Sequence, residues 1–210
     1  MITLVLADDH PIARAGIRAI LDQAPDIKIV GEAQDGLQVK QLAARYRPQI
    51  LLLDLKMPGL PSAEIEKWMR ANYPKTATLI LTAHDRDAYL AEMIETGAAG
   101  YLAKSEPAER LIGAIRRAAR GERLFTDEQL ARAYRWREAA GDKWGNLTRR
   151  EREVFKLLKE GLDNAGIAGA LAVTPKTIAY HITNILRKLG VSSRQEAVAW
   201  AHKYWPDNLD

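Results

Sequence analysis

Ile2-Thr3-Leu4-Val5-Leu6-Ala7-Asp8-Asp9-His10-Pro11 opens the chain with an apolar run that stops at two carboxylates. The form returns three times: Ile50-Leu51-Leu52-Leu53 stops at Asp54, Leu79-Ile80-Leu81 at Thr82, and Tyr101-Leu102-Ala103 at Lys104. Short, fully apolar runs bounded by turn signals are the pattern of strands covered on both faces. Helical spacing fills the intervals at 12–21, 37–45, 63–72, 87–96 and 107–120, and a weaker strand over Ile27–Ala33 alternates apolar and polar residues as a sheet edge does. Strand and helix thus alternate, and each parallel connection needs a crossover. Residues 1–120 therefore predict a doubly wound five-stranded parallel sheet with helices on both faces. Ligands of such sheets bind beyond the carboxyl ends of the strands, where three carboxylates, a hydroxyl and an ammonium would meet.

The chain has 210 residues, 47% of them hydrophobic, which suffices for one large core or two small ones, and two domains are expected. No stretch approaches the roughly 18 apolar residues of a membrane span, and the N-terminus lacks a basic-apolar-small cleavage pattern. A soluble, unprocessed, cytoplasmic chain with no membrane partner is the expectation. The absence of cysteine removes disulfides and thiolate metal sites. The net charge of +4 is unevenly placed: residues 1–120 hold 16 Lys/Arg against 15 Asp/Glu, whereas 147–205 hold 10 against 5. That excess fits a polyanionic partner and an ordinary solvated surface about equally.

Asp8, Asp9 and Asp54 brought within a few ångströms would repel one another unless a proton or a hard cation intervened. Mg²⁺ suits such a set, because it takes oxygen ligands and commonly bridges carboxylates to a phosphate. A carboxylate can also be a nucleophile and form an aspartyl phosphate. Lys104 would then pair with the phosphoryl oxygens, and the Thr82 hydroxyl would donate to one of them. Plainer readings stand beside these. Asp8-Asp9 could cap the first helix ahead of Pro11, and a lone Asp or Lys after a strand is ordinarily a loop residue. The coincidence at four strand ends favours the site.

The pattern Asp8-Asp9-His10, Asp54-Leu55-Lys56-Met57-Pro58-Gly59, Thr82-Ala83 and Gly100-Tyr101-Leu102-Ala103-Lys104 resembles the receiver domain of two-component response regulators. The resemblance implies strand order 2-1-3-4-5, with Asp54 as phosphoacceptor for a sensor histidine kinase. It also implies Mg²⁺ on Asp9, Asp54 and the backbone carbonyl of Lys56, supported by Asp8 through water. Thr82 and Tyr101 match the family's switch pair, in which the hydroxyl moves toward the phosphate and the ring turns inward. Lys56 and His84 occupy positions that tune hydrolysis in receivers. Departures are peripheral: Pro61-Ser62 stands where many members have an acidic residue and glycine, and Ser105 follows Lys104 where proline is frequent.

Gly121 follows the receiver-like part, and a linker is expected at 121–146, helical over 127–140 and broken by Gly141 and Gly145. Beyond it, Thr148 with Glu151 forms a capping box and Gly161 ends that helix. A short helix over 164–171 follows, and Thr174-Pro175 then starts a third helix stopped by Gly190. In the third helix Ile178, Ile182, Ile185 and Leu189 form a buried stripe, and Lys176, Thr177, Tyr180, Thr183, Asn184, Arg187 and Lys188 lie opposite, with no carboxylate from Thr174 to Lys188. Such a pair of helices has the form of a helix-turn-helix, though a small bundle with a solvated basic face would share the pattern. The run Leu147-Thr148-Arg149-Arg150-Glu151 to Gly161, with Asn164, Ile167-Ala168, Thr177-Ile178, His181, Ile185 and Lys188-Leu189-Gly190-Val191, resembles the LuxR-type domain of NarL/FixJ response regulators. That implies an all-α, four-helix domain over 147–210 whose last helix, 194–204, often forms the dimer contact in the family. Ala197, Val198, Ala201 and Trp205 are candidate contacts, or else pack inside the domain. Ala179 and Thr183 stand where members often carry lysine or another polar residue. Base readout then falls to Tyr180, Thr183 and the Ala179 methyl, while Lys176, Arg187 and Lys188 hold phosphates. An unusual operator or modest specificity follows.

The expectation is a non-enzymatic, phosphorylation-controlled transcription factor, at most slow to dephosphorylate itself. It would dimerise when active, bind double-stranded DNA and have RNA polymerase as a further candidate contact. Two other readings remain: a metal-dependent phosphohydrolase, for which no cap or added acid/base carboxylate is visible, and a constitutive DNA binder whose receiver serves only as a scaffold.

Overall fold

The computed structural model describes residues 1–83 and 85–204. The chain divides into two compact units, Met1–Ala133 and a second beginning at Tyr134. Among the described residues, no helix is long and apolar enough to cross a membrane.

In the first unit β1 (Ile2–Ala7), α1 (Pro11–Leu21), β2 (Ile27–Ala33), α2 (Gly36–Tyr46), β3 (Ile50–Leu53), α3 (Ser62–Asn72), β4 (Ala77–Thr82), α4 (Asp87–Thr96), β5 (Gly100–Ala103) and α5 (Ala108–Ala119) alternate along the chain. The strands form one parallel sheet in the order β2-β1-β3-β4-β5, the order the resemblance implied. Side chains alternate between faces along a strand. Leu4, Leu6, Ile50, Leu52, Leu79 and Leu81 pack with Ile17 and Leu21 of α1 and Leu111 and Ile115 of α5. Their alternates Val5, Leu51, Leu53 and Ile80 are as deeply buried on the other face. The central strands thus carry apolar residues at successive positions, while β2 lies at the edge with Lys28 exposed. The sheet ladder extends one residue past the strand ends. Asp8 N–H donates to Ala33 O (3.1 Å), Asp54 N–H to Ala7 O (2.8 Å) and Lys104 N–H to Thr82 O (2.8 Å). The chemistry-bearing residues therefore leave the sheet as fixed extensions of it.

Beyond α5, the 121–126 segment crosses β5: Leu124 N–H donates to Ala99 O (2.7 Å), and Gly100 lets the strand approach so closely that an added Cβ would lie 3.0 Å from Leu124 Cβ. Thr126 then starts α6 (Asp127–Trp136) with a capping box that sequence reading passed over. Its hydroxyl accepts from Gln129 N–H (3.1 Å), and its own N–H donates to Gln129 Oε1 (3.0 Å).

Helix α6 runs into the second unit, where a π-helical turn (Arg137–Gly141) and α7 (Asp142–Gly145) continue it without interruption. The break expected at Gly141 is absent. A helical glycine costs about 1 kcal/mol, and burial of Ala140 and Trp144 on either side of it offsets that. Then come α8 (Arg149–Lys159), α9 (Asn164–Ala170), α10 (Pro175–Leu189) and α11 (Arg194–Tyr204). The Thr148/Glu151 capping box, the Thr174 cap before Pro175 and the left-handed Gly190 terminus all form. The stripe Ile178, Ile182, Ile185 and Leu189 is buried and shares the unit's core with Val154, Phe155, Leu158 and Ile167. The dimer expectation needs correction in part. Ala197 and Ala201 are completely buried beside Trp200, whose ring lies 6.1 Å from that of Phe155, so these two residues build the core. Val198 is half-buried, and Trp205 lies outside the described residues.

Candidate functional site

Four strand ends meet at the carboxyl edge of the sheet. Asp8 follows β1, and Asp54 follows β3; both side chains are buried. Lys104, after β5, reaches across them, its Nζ 2.8 Å from Asp8 Oδ2 and 3.2 Å from Asp54 Oδ1. Single donor atoms of Asp8, Asp9, His10 and Asp54 all lie within 4.8 Å of one another. Thr82, at the end of β4, is also buried. The strand-end prediction thus brings its carboxylates and ammonium to one place.

The capping alternative for Asp8-Asp9 is not what forms. Helix α1 has His10 as its N-cap and no side-chain capping bond. Asp8 Oδ1 accepts from the His10 N–H (2.9 Å), Arg14 holds the Asp8 carbonyl (2.7 Å), and His10 Nδ1 lies 2.8 Å from Asp9 Oδ1. A donor atom of each carboxylate nonetheless lies within 4.8 Å of one on Asp54. Burial raises the Asp54 carboxyl above its ordinary range and the neighbouring Asp8 adds to this, while Lys104 acts in the opposite direction. The site sets three carboxylates beside the ammonium of Lys104. Its donors are three carboxylates at the mouth of a sheet, the set a hard divalent cation takes. The Ser62 hydroxyl donates to the carbonyl of Leu55 and so ties the loop after β3, where Lys56 sits, to the start of α3. Sequence reading noted Ser62 only as a departure; this bond gives it a positioning role. His84 lies outside the described residues.

Tyr101 is turned inward and almost fully buried. Burial pushes its hydroxyl well above the ordinary tyrosine range and the Asp85 carboxylate adds to this, while a hydrogen bond from the Arg86 backbone N–H pulls the other way. Two residues of α6, Gln129 and Arg132, reach the same neighbourhood. Gln129 Nε2 donates to the Tyr101 carbonyl (3.0 Å). Arg132 forks onto both oxygens of Asp85 (2.8 Å each) and reaches Asp87 Oδ1 through Nε (2.7 Å). Sequence reading missed both. Spacing three apart on a helix places them on one side, but their partners are set by the tertiary fold.

In the second unit, α10 presents Lys176, Ala179, Tyr180, Thr183 and Arg187 to solvent, with Tyr180 67% exposed. Thr177 and Asn184 are half-buried. The Thr177 hydroxyl pairs with that of Thr174 (2.9 Å) at the helix start, and the Thr183 hydroxyl donates back to Ala179 O (3.0 Å). Lys188 departs from the phosphate-binding expectation. Its Nζ lies 2.6 Å from Glu151 Oε2, bracing α10 on α8. Burial alone would raise the Glu151 carboxyl, but Lys188 and the Thr148 bonds outweigh it and hold the group below its usual range. A local capping box gave no sign that its glutamate also takes a lysine 37 residues away.

Known proteins share both halves. The family described as "Response regulator receiver domain" matches residues 4–116, and "Bacterial regulatory proteins, luxR family" matches residues 145–201. The chain is 35% identical over 205 residues to the nitrate/nitrite response regulator protein NarL of Escherichia coli (strain K12), spanning 96% of this chain and 95% of that one. It is 36% identical over 206 residues to the transcriptional regulatory protein LiaR of Bacillus subtilis (strain 168), spanning 97% and 98%. Among solved structures, RcsB from Salmonella enterica serovar Typhimurium, bound to promoter rprA in the presence of the phosphomimetic BeF3⁻, is similar with a TM-score of 0.62 and 27% identity. It covers 96% of this chain and 99% of that one.

Proposed function

Because the chain belongs to the two-component response regulators whose LuxR-type output domain binds DNA and regulates transcription, we propose that Asp54 is its phosphoacceptor and that phosphorylation by a sensor histidine kinase drives dimerisation on DNA. The observation that carries the reading is the bridge from Lys104 to both Asp8 and Asp54. An ammonium already placed between the nucleophile and a second carboxylate lies where incoming phosphoryl oxygens would need it.

An Asp54 Oδ atom attacks phosphorus as the N–P bond of the kinase's phosphohistidine breaks; with the other ring nitrogen of that histidine already protonated, the electron pair of the N–P bond leaves on nitrogen, giving an acyl phosphate and a neutral imidazole. Lys104 then pairs with the phosphoryl oxygens, and Thr82 donates a hydrogen bond to one of them. Asp8, Asp9, Asp54 and the Lys56 carbonyl are the residues that would hold Mg²⁺, which supplies charge neutralisation for the phosphoryl oxygens. The protein is a phosphoacceptor and transcription factor, not an enzyme. Its working compartment is then the cytoplasm.

On DNA, Lys176 and Arg187 hold phosphates at the two ends of the exposed face of α10, and Tyr180 with the Ala179 methyl and Thr183 reads bases in the major groove. Lys188 is left out of this set by its pairing with Glu151. Dimerisation couples two such helices and raises the effective concentration of the second. RNA polymerase is a further candidate contact.

The test compares wild type with Asp54→Ala by mobility shift and sedimentation, with and without Mg²⁺ and a small phosphodonor, at fixed salt. Donor-dependent dimerisation and tighter DNA binding in the wild type alone are expected. Equal binding by both proteins in all conditions would make the receiver a scaffold and the chain a constitutive DNA binder.

A further inference from the structure

The loop between β4 and α4 carries two carboxylates, Asp85 and Asp87, and both are held by one side chain, that of Arg132 on α6. All three guanidinium nitrogens take part: Nη1 and Nη2 grip the two oxygens of Asp85, and Nε reaches Asp87. A forked Arg–carboxylate pair is directional as well as charged, so it fixes the plane of its partner. Arg132 is only 21% exposed, although the two carboxylates it holds are about half exposed. The helix bearing it is independently anchored, by Gln129 on the Tyr101 carbonyl, by the Thr126 capping box and by Leu124 against Gly100.

The same loop also reaches one member of the switch pair, Tyr101. Asp85 is three residues beyond Thr82, and the Arg86 N–H is bonded to the Tyr101 hydroxyl. Moving Asp85 therefore drags the donor that holds Tyr101 inward. Contacts made in one loop arrangement and lost in another shift the population toward the first. If the phosphoryl group favours the same arrangement, each strengthens the other by an equal factor.

We propose that Arg132 is a positioning residue for the phosphoryl site: by clamping Asp85 and Asp87 it holds the β4–α4 loop, Tyr101 and the approach to Thr82 in the arrangement that accepts the phosphoryl group. This rests on the reading of Asp54 as phosphoacceptor and adds to it that the linker helix carries part of the site's affinity. The linker is then a component of the receiver's switch.

The test titrates beryllofluoride, a phosphoryl mimic, into the full chain with Mg²⁺ present and follows the bound species by ¹⁹F NMR. Mg²⁺ affinity is measured separately. Arg132→Gln should weaken beryllofluoride binding by about fivefold or more and leave Mg²⁺ affinity unchanged. Arg132→Lys should recover part of the loss. Asp85→Asn with Asp87→Asn should match the Arg132→Gln effect, and combining all three substitutions should add nothing further. A lowered melting temperature with beryllofluoride affinity unchanged would mark a merely structural role and overturn the inference, as would tighter binding in the variants. Failure of the wild type to bind beryllofluoride at all would overturn the phosphoacceptor reading itself.

Discussion

Lys104 contacts Asp8 and Asp54 together, so it competes with a cation for the same oxygens and is needed by a phosphoryl group. Lys104→Met should separate these roles: Mg²⁺ binds several-fold more tightly, while beryllofluoride binding falls by about tenfold or more, since a desolvated charge-assisted contact is worth roughly 1.5–3 kcal/mol. Parallel titrations of the two ligands check it. Glu66 makes a second residue-scale prediction. It is buried on α3, with Arg70 Nε 3.5 Å away, and burial pushes its carboxyl up to about 7, against the opposing effects of Thr78 and Arg70. The folded state thus holds its proton more tightly than the unfolded state does. The receiver should lose stability as pH rises from about 4.5 toward 7, by an amount on the order of 3 kcal/mol at the upper end. Glu66→Gln should flatten this dependence and melt higher than the wild type at pH ~8; an unchanged slope in thermal melts would contradict it. Asp54 and Lys104 were legible from sequence because strand ends in a parallel sheet share one edge. Glu66, Ser62 and Arg132 were not, since each acts through a partner that only the folded chain supplies.

At the scale of elements, the proposed DNA contacts of α10 should separate affinity from specificity. Lys176→Ala and Arg187→Ala should weaken DNA binding about equally on all sequences and each reduce the salt slope by about 1. Tyr180→Ala should change which bases are preferred. Lys188→Ala should lower the stability of the output unit and leave the salt slope intact, because its charge is held by Glu151. Binding isotherms at several salt concentrations, with a melt of each variant, distinguish these outcomes. Thr148→Ala removes the capping box of α8 and should cost about 1 kcal/mol in a denaturation experiment. Capping signals placed the starts of α8 and α10 correctly, since a cap is written in adjacent residues. The continuous run from α6 through the π-turn into α7 was not visible in the same way. Two glycines read as a break, and only the burial of Ala140 and Trp144 reveals why the helix persists.

For the molecule as a whole, two recognition helices are expected on a DNA site with two-fold symmetry once Asp54 is modified, with the dimer sedimenting at twice the monomer mass. Selection from random DNA should return paired half-sites of low information content if Ala179 and Thr183 face the bases as proposed. The sheet topology also bears on how the chain acquires its structure. The strand pairing that brings Asp8 to Asp54 joins segments as distant as Thr3 and Gln49, 46 residues apart, whereas the output unit is built from short helices joined by tight turns. Non-local parallel pairing is slow to form and local helical packing is fast. Refolding from denaturant should then show an early phase from the helical unit and a later one from the sheet, resolvable with Trp144 or Trp200 reporting on the first and Trp68 on the second. During synthesis the order of emergence is the reverse, receiver first. The ribosome therefore gives the slower half a head start over the faster half, which emerges after it.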